Sequence, residues 1–165
     1  MCRFPLAILP VLLVALTLTT GCMKDDQPDN LSVPRLMIES RGVNYGALGG
    51  ELVTLPVSGT SIQIQSEPLV HEFDIFNVDM VKVDMGIALL IQVSPKGARE
   101  LYRGSVSNMG GRIVLTVNGN AIGARRIDGA IQDGNLYTFV EVGDEELGQL
   151  VLNINKSLVH IQANK

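Results

Sequence analysis

The stretch RIVLTV-NG-NAIGARR, residues 112–126, constrains the fold more than any other part of the chain. Asn118-Gly119 is the strongest short hairpin signal available, because a two-residue type I′ turn needs positive φ at both central positions. A loop of that length sets Val117 opposite Asn120, Leu115 opposite Ile122 and Ile113 opposite Ala124. All but Asn120, at the edge of the turn, are apolar and share one face, so the register is self-consistent. It also puts Arg126 on the core-facing side near a strand end, where a charge needs a partner or an exit to water. Two accounts follow for Arg125 and Arg126. The first is a rim salt bridge, to Asp128 or Glu141. The second is a fork that holds a peptide carboxylate or a backbone carbonyl.

The same region is dense in glycine (Gly119, Gly123, Gly129, Gly134), a composition that can cradle phosphate. The spacing argues against that use. A phosphate loop leads into Gly-Lys-Ser/Thr at a helix start, and a dinucleotide site needs Gly-x-Gly-x-x-Gly between a strand and a helix. Neither pattern occurs. These glycines read as turns at Asn118-Gly119, Asp128-Gly129 and Asp133-Gly134.

Around the hairpin, other elements follow from periodicity. LMIES (36–40), ELVTLPV (51–57) and SIQIQ (61–65) have strand character, separated by turns such as GALGG. The stretch 72–93 reads as one long strand, broken or bulged near Asn77, whose second half alternates Ile87, Leu89, Ile91 and Val93 with Ala88, Leu90 and Gln92. Ser94-Pro95 begins a helix, serine as N-cap and proline at the first position. Ala98, Leu101, Tyr102, Ser105 and Val106 fall on its sheet-facing side, and Gly110-Gly111 closes it. LYTFVEV (136–142) is a further strand. Asp144 caps a second helix, with Leu147, Leu150, Val151, Ile154 and Leu158 as its buried stripe. VHIQ (159–162) reads as a final edge strand or a frayed tail. The sum is an α+β sandwich on the ferredoxin-like plan, with two helices on one face of a mostly antiparallel sheet and an N-terminal β extension.

MCRFPLAILPVLLVALTLTTGC carries an address. Arg3 supplies a positive start, and the apolar run from Phe4 to Leu18 is short for a membrane span and contains Pro10. It ends in Thr-Thr-Gly-Cys, which resembles a lipobox, with Thr19 where leucine is usual. A lipoprotein signal over residues 1–21 is the reading, ahead of an ordinary secretory signal or an uncleaved anchor. Cys22 becomes the lipidation site, and several acyl chains on it give a lasting membrane anchor. Met23-Lys24 after the cysteine points to the outer membrane. Residues 22–34 then form a polar, proline-containing tether, residues 35–70 the β extension and residues 71–165 the main domain.

With Cys2 removed and Cys22 acylated, no cysteine remains for a disulfide, metal or nucleophile. The formal charge is −4 with no basic run, so no nucleic-acid partner is expected. His71, Glu72 and Asp74 suggest a metal site only superficially, since His71 points away from the other two along a strand and His160 is distant in sequence. Asp79 and Asp84 would face opposite sides of a continuous strand, a poor acid/base pair. No nucleophile elbow or Ser-x-x-Lys pair is present. The chain is not expected to be an enzyme, nor to need a cofactor or metal.

The residues 88–158 resemble the periplasmic head region of SecD, a subunit of the bacterial Sec translocase. The matching features are a strand into SPKGARELYRGSVSNMGGRIVLTVNG, then AIGARRIDGAIQDGNLYTFVEV, then the acidic-start helix DEELGQLVLNINKSL. Asn118-Gly119, Ile127, Ile131, Gly134 and Glu145-Glu146 fall on positions of that pattern. Two positions depart from it: Arg125 stands where proline is expected, and the glycine of the second turn is missing before Val142. No transmembrane bundle follows, so the proton-driven motor of SecD is not expected here. Together with the lipobox-like start, the resemblance implies a periplasm-facing, lipid-anchored envelope protein that binds an extended peptide or partner protein, in protein export. The alternative is a structural lipoprotein acting through self-association or packing on another envelope protein.

Overall fold

The computed structural model describes residues 31–41 and 50–163. The signal segment 1–21, the lipidation site Cys22 and the tether as far as residue 30 lie outside the described residues. Among the described residues the elements are β1 (Pro34–Ile38), β2 (Glu51–Thr54), β3 (Ser61–Ile64), a 3-10 turn (Glu72–Asp74), β4 (Ile75–Val83), β5 (Gly86–Val93), α1 (Pro95–Ser107), β6 (Arg112–Val117), β7 (Asn120–Arg126), β8 (Asn135–Thr138) and α2 (Asp144–Ala163). The fold is α+β, as the periodicity requires. No helix among these residues is long and apolar enough to cross a membrane.

The strands form three antiparallel ladders, β1-β6-β7, β2-β3 and β4-β5-β8, rather than one ferredoxin-like sheet. A single bridge, Gly123 to Val140, joins the first ladder to the third, and Glu141 N–H donates to the Ile122 carbonyl at 2.7 Å beside it. Between the ladders and the helices lies one core. β5 gives it Leu89, Ile91 and Val93, β6 gives Ile113 and Leu115, α1 gives Leu101, and α2 gives Leu147, Val151, Ile154 and Leu158. Each such side chain contributes about 1.5–3 kcal/mol on burial.

The N-terminal strands join this body in two ways. β1 pairs with β6, Leu36 opposite Leu115. The β2-β3 hairpin covers the reverse face, packing Val53, Leu55, Ile62 and Ile64 on Met37, Val114 and Ala121 in a second apolar cluster. Glu141 clips its turn by accepting the N–H groups of Val57 and Ser58 at 2.9 and 2.8 Å.

The Asn118-Gly119 turn forms with φ of 52° and 84°, both left-handed. The expected register survives only beside it. Val117 opposes Asn120, but a bulge at Leu115/Thr116 then sets Leu115 opposite Gly123, Val114 opposite Ala124 and Arg112 opposite Arg126. Gly123 lies at the slip and faces the Phe139 carbonyl so closely that no Cβ fits. A one-residue slip reverses the faces of everything beyond it. Arg126 therefore shares a face with Val114 and Ala124 rather than with Ile113 and Leu115, and it is exposed.

Other expectations are corrected. The stretch 72–93 is a 3-10 turn and a hairpin, with Asp84-Met85 as its loop, because Val83 pairs with Gly86. The irregularity near Asn77 is present, between Ile75 and Asn77. On α1 the buried residues are Gly97, Leu101, Gly104 and Ser105, while Tyr102 and Val106 are 44% and 47% exposed. The glycines set that orientation. A Cβ on Gly97 would lie 3.0 Å from the Asp74 carbonyl, and one on Gly104 would meet the Leu69 side chain. The end of the chain, 159–162, is neither edge strand nor frayed tail but the last part of α2; Asp144 is the first residue of that helix rather than its cap, and the Gly143 carbonyl accepts from Glu146 and Leu147. The strand expected over 136–142 stops at Thr138, leaving only the Val140 bridge.

Candidate functional site

β7 and β8 separate beyond the Gly123 bridge and leave a depression of about 440 Å³ on the surface. Val83 and Ala88, from the two strands of the β4-β5 hairpin, line it together with Tyr137 and Phe139, and Arg125 and Arg126 also border it. Tyr137 and Phe139 are about two-fifths exposed, whereas Leu136 between β5 and the core is buried. Alternation along β8 accounts for this, since neighbouring residues of a strand project to opposite faces.

Arg125 reaches across to β8, and its Nη1 donates to the Tyr137 carbonyl at 2.9 Å. A backbone carbonyl of this chain thus occupies one donor of the fork, and a guanidinium carries five. Arg126 takes the rim salt bridge, to Asp128 at 3.4 Å rather than to Glu141, and both side chains are more than 70% exposed. Such a pair contributes about 0–1 kcal/mol, so its geometry is easily given up to a ligand. A second depression, about 390 Å³, shares Arg125 and Tyr137 with the first and continues past Ile131, Asp133 and Asn135. The Asn135 main-chain N–H, aided by its side-chain amide, holds the Asp133 carboxyl below the usual carboxylate range.

The acidic residues near His71 serve the fold. Glu72 accepts from Arg35 Nε and Nη2 at 2.7 and 3.1 Å. Asp74 accepts from the Ser94 hydroxyl at 3.0 Å and from Lys96 Nζ at 2.9 Å, tying the 3-10 turn to the start of α1. His71 lies just before that turn. Asp79 accepts from Asn77 Nδ2 at 2.9 Å, and Asp84 sits in the β4-β5 loop. No group of three or more His, Cys, Asp or Glu among the described residues is placed to hold a metal.

Arg125 and Arg126 are brought to the same depression, though not on the core face. Tyr137, Phe139, Val83 and Ala88 are the residues that sequence reasoning missed. Alternation in LYTFVEV carried the signal for the two aromatics, which share a face opposite Leu136. Val83 and Ala88 meet only because of the hairpin turn at Asp84-Met85. The surface offers apolar contact, two aromatic rings and guanidinium donors, a set suited to holding an extended chain by its side chains and carbonyls.

No protein-family model matches the sequence, and no curated protein matches it. Similarity appears among solved structures. The crystal structure of SecDF in a super-membrane-facing form matches at a TM-score of 0.56 with 17% identity, over 75% of this chain and 18% of that one. A structure of SecDF described as a membrane component that enhances protein export matches at 0.56 and 17%, over 76% of this chain and 62% of the other. The chain therefore spans less than two thirds of either structure. At that identity the likeness is one of fold alone, shared with part of SecDF.

Proposed function

We propose that this chain is a non-enzymatic envelope protein, facing the periplasm and anchored by lipid on Cys22, whose SecD-like domain binds an extended polypeptide or partner protein during export. The observation that carries the reading is the depression at the β7-β8 separation, where Arg125 and Arg126 stand beside the exposed rings of Tyr137 and Phe139. The fold it sits on is like that of part of SecDF, a component described as enhancing protein export. A photo-crosslinking residue at Phe139 in cells is the test. Adducts with a translocating chain or a Sec component are expected. Recovery of neither, with robust adducts elsewhere on the surface, would sink the export role.

One observation favours self-association or packing on another envelope protein. Leu152 and Val159, seven residues apart on α2, are 56% and 70% exposed. Light scattering on the purified protein separates the two readings, because a monomer at all concentrations removes self-assembly.

A further inference from the structure

The depression beside Arg125 is one end of a longer track. Its neighbour shares Arg125 and Tyr137 with it, and in turn shares Gln132 with a third depression of about 460 Å³ on α1, bordered by Arg99, Tyr102 and Arg103. Shared lining residues thus link the three in a row from Val83 to Tyr102. Their middle is fixed to the helix, since the Ile131 N–H donates to the buried Ser105 hydroxyl at 3.0 Å, which itself donates to the Tyr102 carbonyl at 2.9 Å.

Arginine and tyrosine recur along the whole of it. Arg126 and Arg125 stand with Tyr137 at one end, and Arg103 and Arg99 with Tyr102 at the other. The carboxylates nearby are already engaged: Asp133 by Asn135, Glu100 by Arg103 at 3.2 Å, and Asp128 by Arg126. The guanidiniums keep donors in excess of these bonds, because each has five and accepts none. On a chain of formal charge −4, the four arginines outnumber the three carboxylates beside them, so the track is slightly positive, with more donors than acceptors.

We propose that this track takes an extended, acidic polypeptide segment, with carboxylates meeting Arg99 and Arg103 at one end and Arg125 and Arg126 at the other. Its apolar side chains lie over Tyr137 and Phe139. The inference rests on the reading that the β7-β8 depression binds polypeptide. It adds the chemistry of the segment and the extent of the surface.

The test is anisotropy with the full chain and three labelled, unstructured peptides of one length: one bearing Asp and Glu, one with Asn and Gln in their places, and one with Lys. The acidic peptide is expected to bind about tenfold tighter than its amide counterpart, with an advantage that shrinks as salt is raised. Arg99→Gln/Arg103→Gln, on an exposed helix face, is expected to cost the acidic peptide about tenfold and the amide peptide less than about twofold, with unchanged circular dichroism. Equal affinity of acidic and amide peptides overturns the charge preference and leaves the polypeptide reading standing. Loss of binding in Arg125→Ala but not in Arg99→Gln/Arg103→Gln ends the track at Arg125. A dimer abolished by Arg99→Gln/Arg103→Gln would assign the surface to a second copy instead. Failure of all three peptides to bind removes the polypeptide reading as well.

Discussion

Asn155 on α2 holds both main-chain groups of Val78 on β4. The Val78 N–H donates to Asn155 Oδ1 at 3.0 Å, and Asn155 Nδ2 donates to the Val78 carbonyl at 2.8 Å. A side-chain amide offers the same donor and acceptor as a peptide unit, so Asn155 stands where a neighbouring strand would pair. Gln162 does half as much about two turns further on, donating to the Ile75 carbonyl at 2.9 Å. β4 is the outer strand of its ladder, and exposed outer strands are templates for pairing with other chains. In Asn155→Leu, Val78 keeps no partner for either group. A loss of about 1–3 kcal/mol in urea unfolding is expected. Concentration-dependent association by light scattering should accompany it. Unchanged stability in a strictly monomeric variant would show that the pair neither stabilises nor guards the edge.

Gly123 governs how the first and third ladders meet. Its Cα lies against the Phe139 carbonyl and Val140, and main-chain atoms there have little room to move. Gly123→Ala is expected to destabilise by about 1–3 kcal/mol, the usual range for overpacking. Gly129 makes the matched control, because nothing lies within 4 Å of its added Cβ. Gly129→Ala should stay within about 0.5 kcal/mol of the parent. Equal midpoints for the two variants in urea would mean that the close approach at Gly123 is not needed.

Two bidentate ion pairs make stability depend on pH. Hydrogen bonds from Arg35 hold the Glu72 carboxyl below its ordinary range, and Arg112 does the same for Glu39. A depressed folded pKa means that the unfolded chain takes up the proton first. Each pair's contribution is therefore fully present above the unfolded glutamate value, about 4.3, and is lost as pH falls through the lower folded value. The urea midpoint should be insensitive to these groups between neutral pH and about pH 5, then fall below about pH 4.5. Glu72→Gln and Glu39→Gln should each flatten that fall. An acid slope identical in both variants and the parent would place the transition on other carboxylates.

Where the sequence carries turn chemistry or a cap, its structure was legible. Asn118-Gly119 turns, Ser94 caps α1 with its hydroxyl accepting the Gly97 N–H, and Leu147, Val151, Ile154 and Leu158 of the α2 stripe are buried, with Leu150 partly so. Misreadings arise where a distant contact overrides a local pattern. Asp84-Met85 lacks the glycine or asparagine usual at the centre of a hairpin loop, so periodicity ran straight through it. The slip after Leu115 falls where Gly123 packs on the Phe139 carbonyl, sixteen residues further along the sequence and invisible to a pairing rule. Orientation of α1 depends on Leu69 and Asp74 pressing on glycines, where the apolar count favoured Tyr102 and Val106. For the site the same holds: the arginines stood out by composition, but the face they occupy followed from that slip.

Adjacent residues on β8 separate fold from function. Leu136 is 1% exposed in the main core opposite Ile91, and Tyr137 is 42% exposed opposite Leu90. Leu136→Ala should cost about 2–5 kcal/mol, the loss of a buried leucine plus the cavity it leaves. Tyr137→Ala should cost far less, because Arg125 is anchored on the main-chain carbonyl of Tyr137 and not on its ring. The ring is what the depression offers to a bound chain, so this variant should lose peptide affinity about fivefold or more while keeping a near-parental unfolding midpoint. Measuring affinity and midpoint on the same preparation distinguishes the cases. If Tyr137→Ala binds peptide as the parent does, the rings at the β7-β8 separation are not part of the binding surface.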